Sequence, residues 1–191
     1  MLRTIVGGLR CQFSEVLPTD KYILLLCSVI LIHGCGGGGG NPANNNPVQK
    51  QPTKAVVKLY TQGSLPQGTA IAGIGITVNL PAGVTVTTDA SGGVGSEVII
   101  GSGETASKAV VIITDFTPAT ATSPGAISFI LASKEEAGFG VGEFATVNCG
   151  ISVGSYPKAT DIVTSDSDFR AVDLSGVTIA GLSPTFTADI E

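Results

Sequence analysis

Tryptophan is absent from this 191-residue chain, histidine occurs once as His33, and charged residues make up only 13%. Each shortage removes a class of chemistry. From Gly34 onward there is no imidazole, so that stretch holds no Ser-His-Asp or Cys-His triad, no His-bearing zinc site and no C-x-x-C-H haem attachment. With a formal net charge of -5 and an isoelectric point near 4.8, the chain lacks the basic surface that attracts phosphate backbones, which argues against a nucleic-acid partner. Of the cysteines, Cys11, Cys27 and Cys35 fall early and Cys149 stands alone in the remainder. The length admits one ordinary domain plus appendages.

What is present begins with an address. Arg3, Arg10 and Lys21 precede an apolar run from Tyr22 to Ile32 that ends in small residues, the layout of an export signal. The run is too short for a permanent span, which needs about 20 apolar residues. Leu31-Ile32-His33-Gly34-Cys35 resembles the bacterial lipobox, with an aliphatic residue three before the cysteine and a small residue next to it. The resemblance implies cleavage between Gly34 and Cys35, with Cys35 left as the lipid-bearing first residue. Several acyl chains, each methylene contributing about 0.8 kcal/mol, would hold the protein to a membrane almost irreversibly. The expected location is the bacterial cell envelope, lipid-anchored, with the outer membrane as destination. Cleavage would also remove Cys11, Cys27 and His33, leaving no cysteine pair for an intramolecular disulfide in the mature chain.

Residues 36–54 read GGGGGNPANNNPVQKQPTK, a stretch with too little apolar surface to offset the entropy of ordering. We read residues 1–34 as a lipoprotein signal peptide, 35–54 as the lipidated cysteine and its tether, and 55–191 as the folded head. A flexible coil of this length has a root-mean-square reach of about 24 Å, against roughly 65 Å fully extended.

The head is rich in strand formers. From Ala55 onward there are 15 Val, 13 Ile and 17 Thr but only 6 Leu, a balance that opposes helices. Ile74, Ile76, Val78 and Leu80 alternate with Gly75, Thr77 and Asn79, so one face enters a core. Pro81-Ala82-Gly83 follows as a turn before Val84 and Val86. Further strands are expected at Glu97 to Ile100, Ala109 to Thr114, Ala126 to Ala132, Glu143 to Val153 and Thr185 to Ile190. Many short strands separated by Gly, Pro, Ser and Asp clusters predict an all-β sandwich or barrel. In Glu143 to Val153, the positions of Ala145, Val147, Cys149, Ile151 and Val153 share a parity that points inward, with Phe144 on the other. Buried Cys149 would behave as a small hydrophobe. Ser133-Lys134-Glu135-Glu136 has capping-box spacing but room only for a turn.

Gly125-Ala126-Ile127-Ser128-Phe129-Ile130, an acidic loop through Glu135 and Glu136, and Gly142-Glu143-Phe144-Ala145-Thr146-Val147 together resemble the central region of cohesin domains. Asp168 to Gly176 with the strand after it resembles the cohesin close, and Leu80-Pro81-Ala82-Gly83-Val84 fits the front more loosely. The resemblance implies a jelly-roll β-sandwich of about eight or nine strands that binds proteins or, as in related carbohydrate-binding modules, polysaccharide. It implies no catalysis; no cofactor is expected, and the alternatives to a protein-binding module are a polysaccharide-binding module or a structural subunit of a surface complex.

Candidate sites compete with plainer explanations. Asp161, Asp166, Asp168 and Asp173 could supply oxygen ligands to calcium, but Arg170 and Ala171 occupy positions that an EF-hand loop gives to a ligand and a glycine, so a solvated acidic loop is the expectation. Ser155-Tyr156-Pro157-Lys158 matches S-x-x-K of penicillin-recognising enzymes, yet Pro157 and the strand setting defeat the helical geometry needed, and no K-T-G follows. The glycine pairs lack the strand-to-helix context of nucleotide loops. Only Tyr60 and Tyr156 could stack sugars in the head, which weakens a polysaccharide module. Ala109-Val110-Val111-Ile112-Ile113 is apolar at every position, which means either a strand covered on both faces or one with an exposed sticky face; the covered strand is the expectation.

Overall fold

The computed structural model describes residues 50–191, within a compact unit of its own, Pro47–Glu191. Ten strands follow one another: β1 (Lys54–Gln62), β2 (Gly73–Leu80), β3 (Val84–Thr85), β4 (Ile99–Gly101), β5 (Ala109–Thr117), β6 (Gly125–Ser133), β7 (Glu143–Ile151), β8 (Val163–Thr164), β9 (Arg170–Val172) and β10 (Ser183–Ile190). Among the described residues the only helical pieces are three 3-10 turns of three residues each.

All pairings between these strands are antiparallel, in two sheets. The first has the order β10-β1-β7-β3, with β4 also on β7. The second has the order β5-β6-β2-β8, with β9 also on β2. The all-β sandwich expected from the sequence is therefore present. Each sheet has one edge made of two short strands laid end to end, so ten strands fill eight positions and the count exceeds eight or nine without changing the architecture. Splitting shortens an edge, and a short edge offers less unpaired backbone to a stray strand.

Alternation places the core. Ala55, Val57 and Leu59 of β1 and Val147, Cys149 and Ile151 of β7 meet Ile74, Ile76, Val78 and Leu80 of β2 and Ile127, Phe129 and Leu131 of β6, all buried. Each buried aliphatic or aromatic side chain contributes about 1.5–3 kcal/mol. Every buried side-chain polar atom among the described residues has a hydrogen-bond partner.

Two β-bulges correct the parity read from sequence. Leu59 pairs with Ala145 and Tyr60 with Glu143, so Phe144 is skipped in the ladder. The extra residue breaks the alternation, and Phe144 is buried rather than outward as its parity predicted. Its carbonyl is bonded by the Thr105 hydroxyl and the Ser102 N–H, from the turn that crosses β7 there. The β7 strand stops at Ile151, and Val153, expected inward, is 93% exposed on the loop beyond. The second bulge lies in β5, where Val111 pairs with Leu131 and Ile113 with Ile130, leaving Ile112 without a partner.

The N-terminal end of the head is pinned to the sandwich. The Ile151 N–H donates to Thr53 O, and the N–H groups of Thr53 and Lys54 donate to Glu191 O. Residues 50–54, read from sequence as tether, thus run directly into the first ladder. The Pro81-Ala82-Gly83 turn forms as expected: Val84 N–H bonds Pro81 O at 3.1 Å and Gly83 adopts a φ of 86°, a conformation glycine reaches without strain.

Candidate docking face

The second sheet buries one face and leaves the other bare. Pairing aligns its outer residues in rows: Val110, Ala132, Gly73 and Val172 in one; Asp115, Ser128 and Thr77 in another. Between them Ile130 faces Gly75, which faces Arg170. The middle of the face is flat because Gly73, Gly75, Ala126 and Ala132 carry little or no side chain. A Cβ built on Gly75 would meet nothing nearer than the Ile130 side chain at 3.9 Å. Two shallow depressions of about 190 and 250 Å3 share Gly75, Ile130 and Arg170.

Apolar groups crowd the β5 side of this face. Ile112 is 56% exposed, Val110 45% and Ile130 37%, and Ile100 of β4 is also exposed across the gap between the sheets. The sequence predicted that the Ala109–Ile113 run would be covered on both faces. It is instead an edge strand, because the order of the sheet ends at β5. A cleft of about 490 Å3 runs along this edge, lined largely by Val94, Ile99, Ile100, Ala109, Val110 and Val111.

Polar groups frame the apolar part. Thr77 and Ser128 hydroxyls bond each other at 2.8 Å across the rung. Asp115 and Arg170 are exposed on opposite sides of the face, and Arg170 Nε donates to Thr178 Oγ1 at 3.0 Å. An apolar centre with a polar margin and no deep cavity suits a protein surface better than a small molecule.

The residues singled out from sequence fall elsewhere. Gly34 and Cys35 lie outside the described residues. Asp161 closes a 3-10 turn and accepts the Lys158 N–H, Asp166 and Asp168 bracket the next turn, and Asp173 folds its carboxylate onto the N–H groups of Ser175 and Val177. The chain does not gather these four: among the described residues no group of three or more acidic, His or Cys side chains is placed to hold a metal. Asp168 alone reaches the docking face, beside Arg170. Ser155 and Lys158 sit on a loop, not a helix, and Ser155 packs against the Gly83 turn. Cys149 points inward as expected, free and 4% exposed, and burial pushes its thiol up to about 11. The Asp89 carboxyl is held below its ordinary range by the hydroxyl and N–H of Ser91 and the N–H of Gly93, within a hairpin turn.

Sequence reading missed Ile100, Ile130, Gly75 and Arg170. Ile130 had a usable signal, since it lies one step out of phase with inward Ile127, Phe129 and Leu131. Among the described residues no helix is long and apolar enough to cross a membrane. Compared with models of protein families, with curated proteins and with solved structures, the chain matches none of them.

Proposed function

We propose that this chain is a non-catalytic lipoprotein of the bacterial cell envelope, anchored through lipid on Cys35, whose cohesin-like head binds protein or takes part in surface assembly. The observation that carries the binding part is the bare outer face of the second sheet, where Val110, Ile112 and Ile130 expose apolar surface beside a flat strip framed by Asp115 and Arg170. Exposed apolar groups contiguous on one rigid face are uncommon in proteins without partners. The two-sheet antiparallel sandwich is also what the cohesin resemblance implies. The anchoring part rests on the export signal and the Leu31-Ile32-His33-Gly34-Cys35 motif.

The test is crosslinking in intact cells followed by identification of attached proteins, comparing the native chain with Ile130→Lys. A charge at the centre of the face should abolish capture while the thermal midpoint stays within a few degrees. Undiminished capture by the variant would refute the assignment of the face. Labelling with a clickable fatty acid tests the anchor: native chain takes up label and Cys35→Ala does not, and an unlabelled native chain would refute it. A polysaccharide-binding module is the second reading, favoured only by the exposed Tyr156, and migration in glycan-containing gels separates it.

A further inference from the structure

The free edge of β5 has unusual properties for an unpaired strand. It is nine residues long, Ala109–Thr117, contains no proline, and is apolar through Ile113. Natural sheets blunt such edges with charges, proline or short length, and the same protein shortens its two split edges, β3 with β4 and β8 with β9. Here the charges sit only at the ends of the run, Lys108 before it and Asp115 near its close.

Those two charges would lie on opposite faces of a regular strand, being an odd number of residues apart. The bulge changes this. Skipping Ile112 in the ladder removes one step, so Val110 and Asp115 both take outer-face positions, and Lys108, in the turn just before the strand, continues that row, its carbonyl accepting the Lys134 N–H as the next rung. The edge then reads, along one face, as positive, apolar and negative. An antiparallel copy of such a strand reads in the reverse order, and the sequence is complementary to itself.

We infer that β5 pairs edge to edge with β5 of a second copy of this chain about a two-fold axis at Val111. In that register Val111 faces its own counterpart, Val110 stands opposite Ile113 of the second copy, and Lys108 opposite Asp115 of the second copy, twice per dimer. Lys108 comes opposite Asp115 only because both strands carry the bulge; in a regular strand it would stand opposite Thr114. The pairing is isologous, so it closes at two copies instead of growing into a fibre. The cleft along β5 leaves the edge open to the incoming strand.

The inference deepens the proposed function by naming a partner, and it has a geometric consequence. The β5 end at Thr117 lies toward the end of the sandwich where the chain enters, because Phe116 pairs with Ile127, Ile127 with Val78, and β2 leads from there to the Gly83 turn, whose carbonyl accepts the Ser152 N–H beside the Thr53 contact. Antiparallel pairing reverses one copy, so the two N-terminal ends leave the dimer at opposite ends. Anchored heads would therefore meet from facing surfaces more readily than side by side.

Sedimentation of the compact unit Pro47–Glu191 over a range of concentrations tests the idea. The native chain should show a monomer–dimer equilibrium. Lys108→Asp and Asp115→Lys should each weaken the dimer by about tenfold or more, since each reversal places like charges opposite one another at two symmetric positions. The double exchange, Lys108→Asp with Asp115→Lys, should restore it, and this recovery excludes loss by misfolding. A native chain that stays monomeric at high concentration overturns the inference, as does a dimer indifferent to both reversals. A monomeric head whose Ile130→Lys variant still loses its envelope partner would overturn the self-pairing while leaving the proposed function in place.

Discussion

The buried thiol of Cys149 makes the stability of the head depend on alkaline pH in a calculable way. The side chain lies on β7 among the core residues and is 4% exposed. Burial raises its pKa from 9.0 to about 11, because the thiolate would lose its hydration in an apolar interior. The folded state therefore holds the proton more tightly than the unfolded chain does. The sign follows: the contribution is complete below about pH 9, where both states are protonated, falls as pH rises through the interval, and is gone above about pH 11. Two pKa units at about 1.4 kcal/mol each give about 2.7 kcal/mol. Urea unfolding of the native head and of Cys149→Ala should be followed from near pH 8 to about pH 11. The variant loses about 1–2 kcal/mol at the lower pH through the small cavity. That deficit should close or reverse at the upper pH. Lysine and tyrosine titrations are common to both proteins and cancel in the difference. Parallel pH profiles would refute the reasoning, because they would mean that the thiol ionises equally easily in both states. A thiol reagent near pH 8 gives a second reading, with the folded protein reacting far more slowly than the urea-unfolded one.

Three further outcomes follow from particular contacts. Thr105→Val should cost about 1–3 kcal/mol by chemical unfolding, since the fully buried Thr105 hydroxyl is one of two donors, with the Ser102 N–H, to the Phe144 carbonyl at the bulge, whereas Thr105→Ser should lose less than half of that. Phe144→Ala should cost about 3–5 kcal/mol, a value an outward-facing strand residue would not reach, so a cost under about 1 kcal/mol would contradict its burial. Gly83→Ala should destabilise by about 1–3 kcal/mol, both from its positive φ and because the new Cβ would run into the Ser155 side chain. Ser155→Gly in the same chain should recover part of this loss but not the part due to backbone strain, and thermal melts of the four combinations separate the two.

Legibility of this fold from sequence tracks how strongly each strand alternates. The strand Gly73–Leu80 was visible because its inward residues are aliphatic and its outward ones are Gly, Thr and Asn, a contrast imposed by having one face wet. The β1 strand has the same property, with Val57 and Leu59 buried and Lys58 exposed between them, but it abuts a low-complexity stretch, so that its first residue, Lys54, reads as tether and its start carries no signal. The short strands β8 and β9 were beyond reach. At two and three residues they carry less than one full period, and their places are set by β2, which lies far away in sequence.

The docking face was the least legible part, for a reason that also explains why it exists. A run such as Ala109–Ile113 gives no parity signal, because every position is apolar and a buried central strand would look identical. Whether it ends up central or at an edge depends on how many strands the chain places beyond it, which is a property of the whole topology. The bulges compound this. Skipping one residue exchanges the faces of everything after it, and nothing in the residue types of Glu143-Phe144-Ala145 or Val111-Ile112-Ile113 marks which residue is skipped. At Phe144 the exchange adds a large ring to the core, a gain in stability that needs no partner. At Ile112 it leaves aliphatic surface in water, which costs the isolated head free energy, and it brings Lys108 and Asp115 to one side. The same local device thus serves folding in one sheet, while in the other its stabilising return comes only when something pairs with β5. That asymmetry, more than the number of exposed isoleucines, is the physical ground for placing association at this edge.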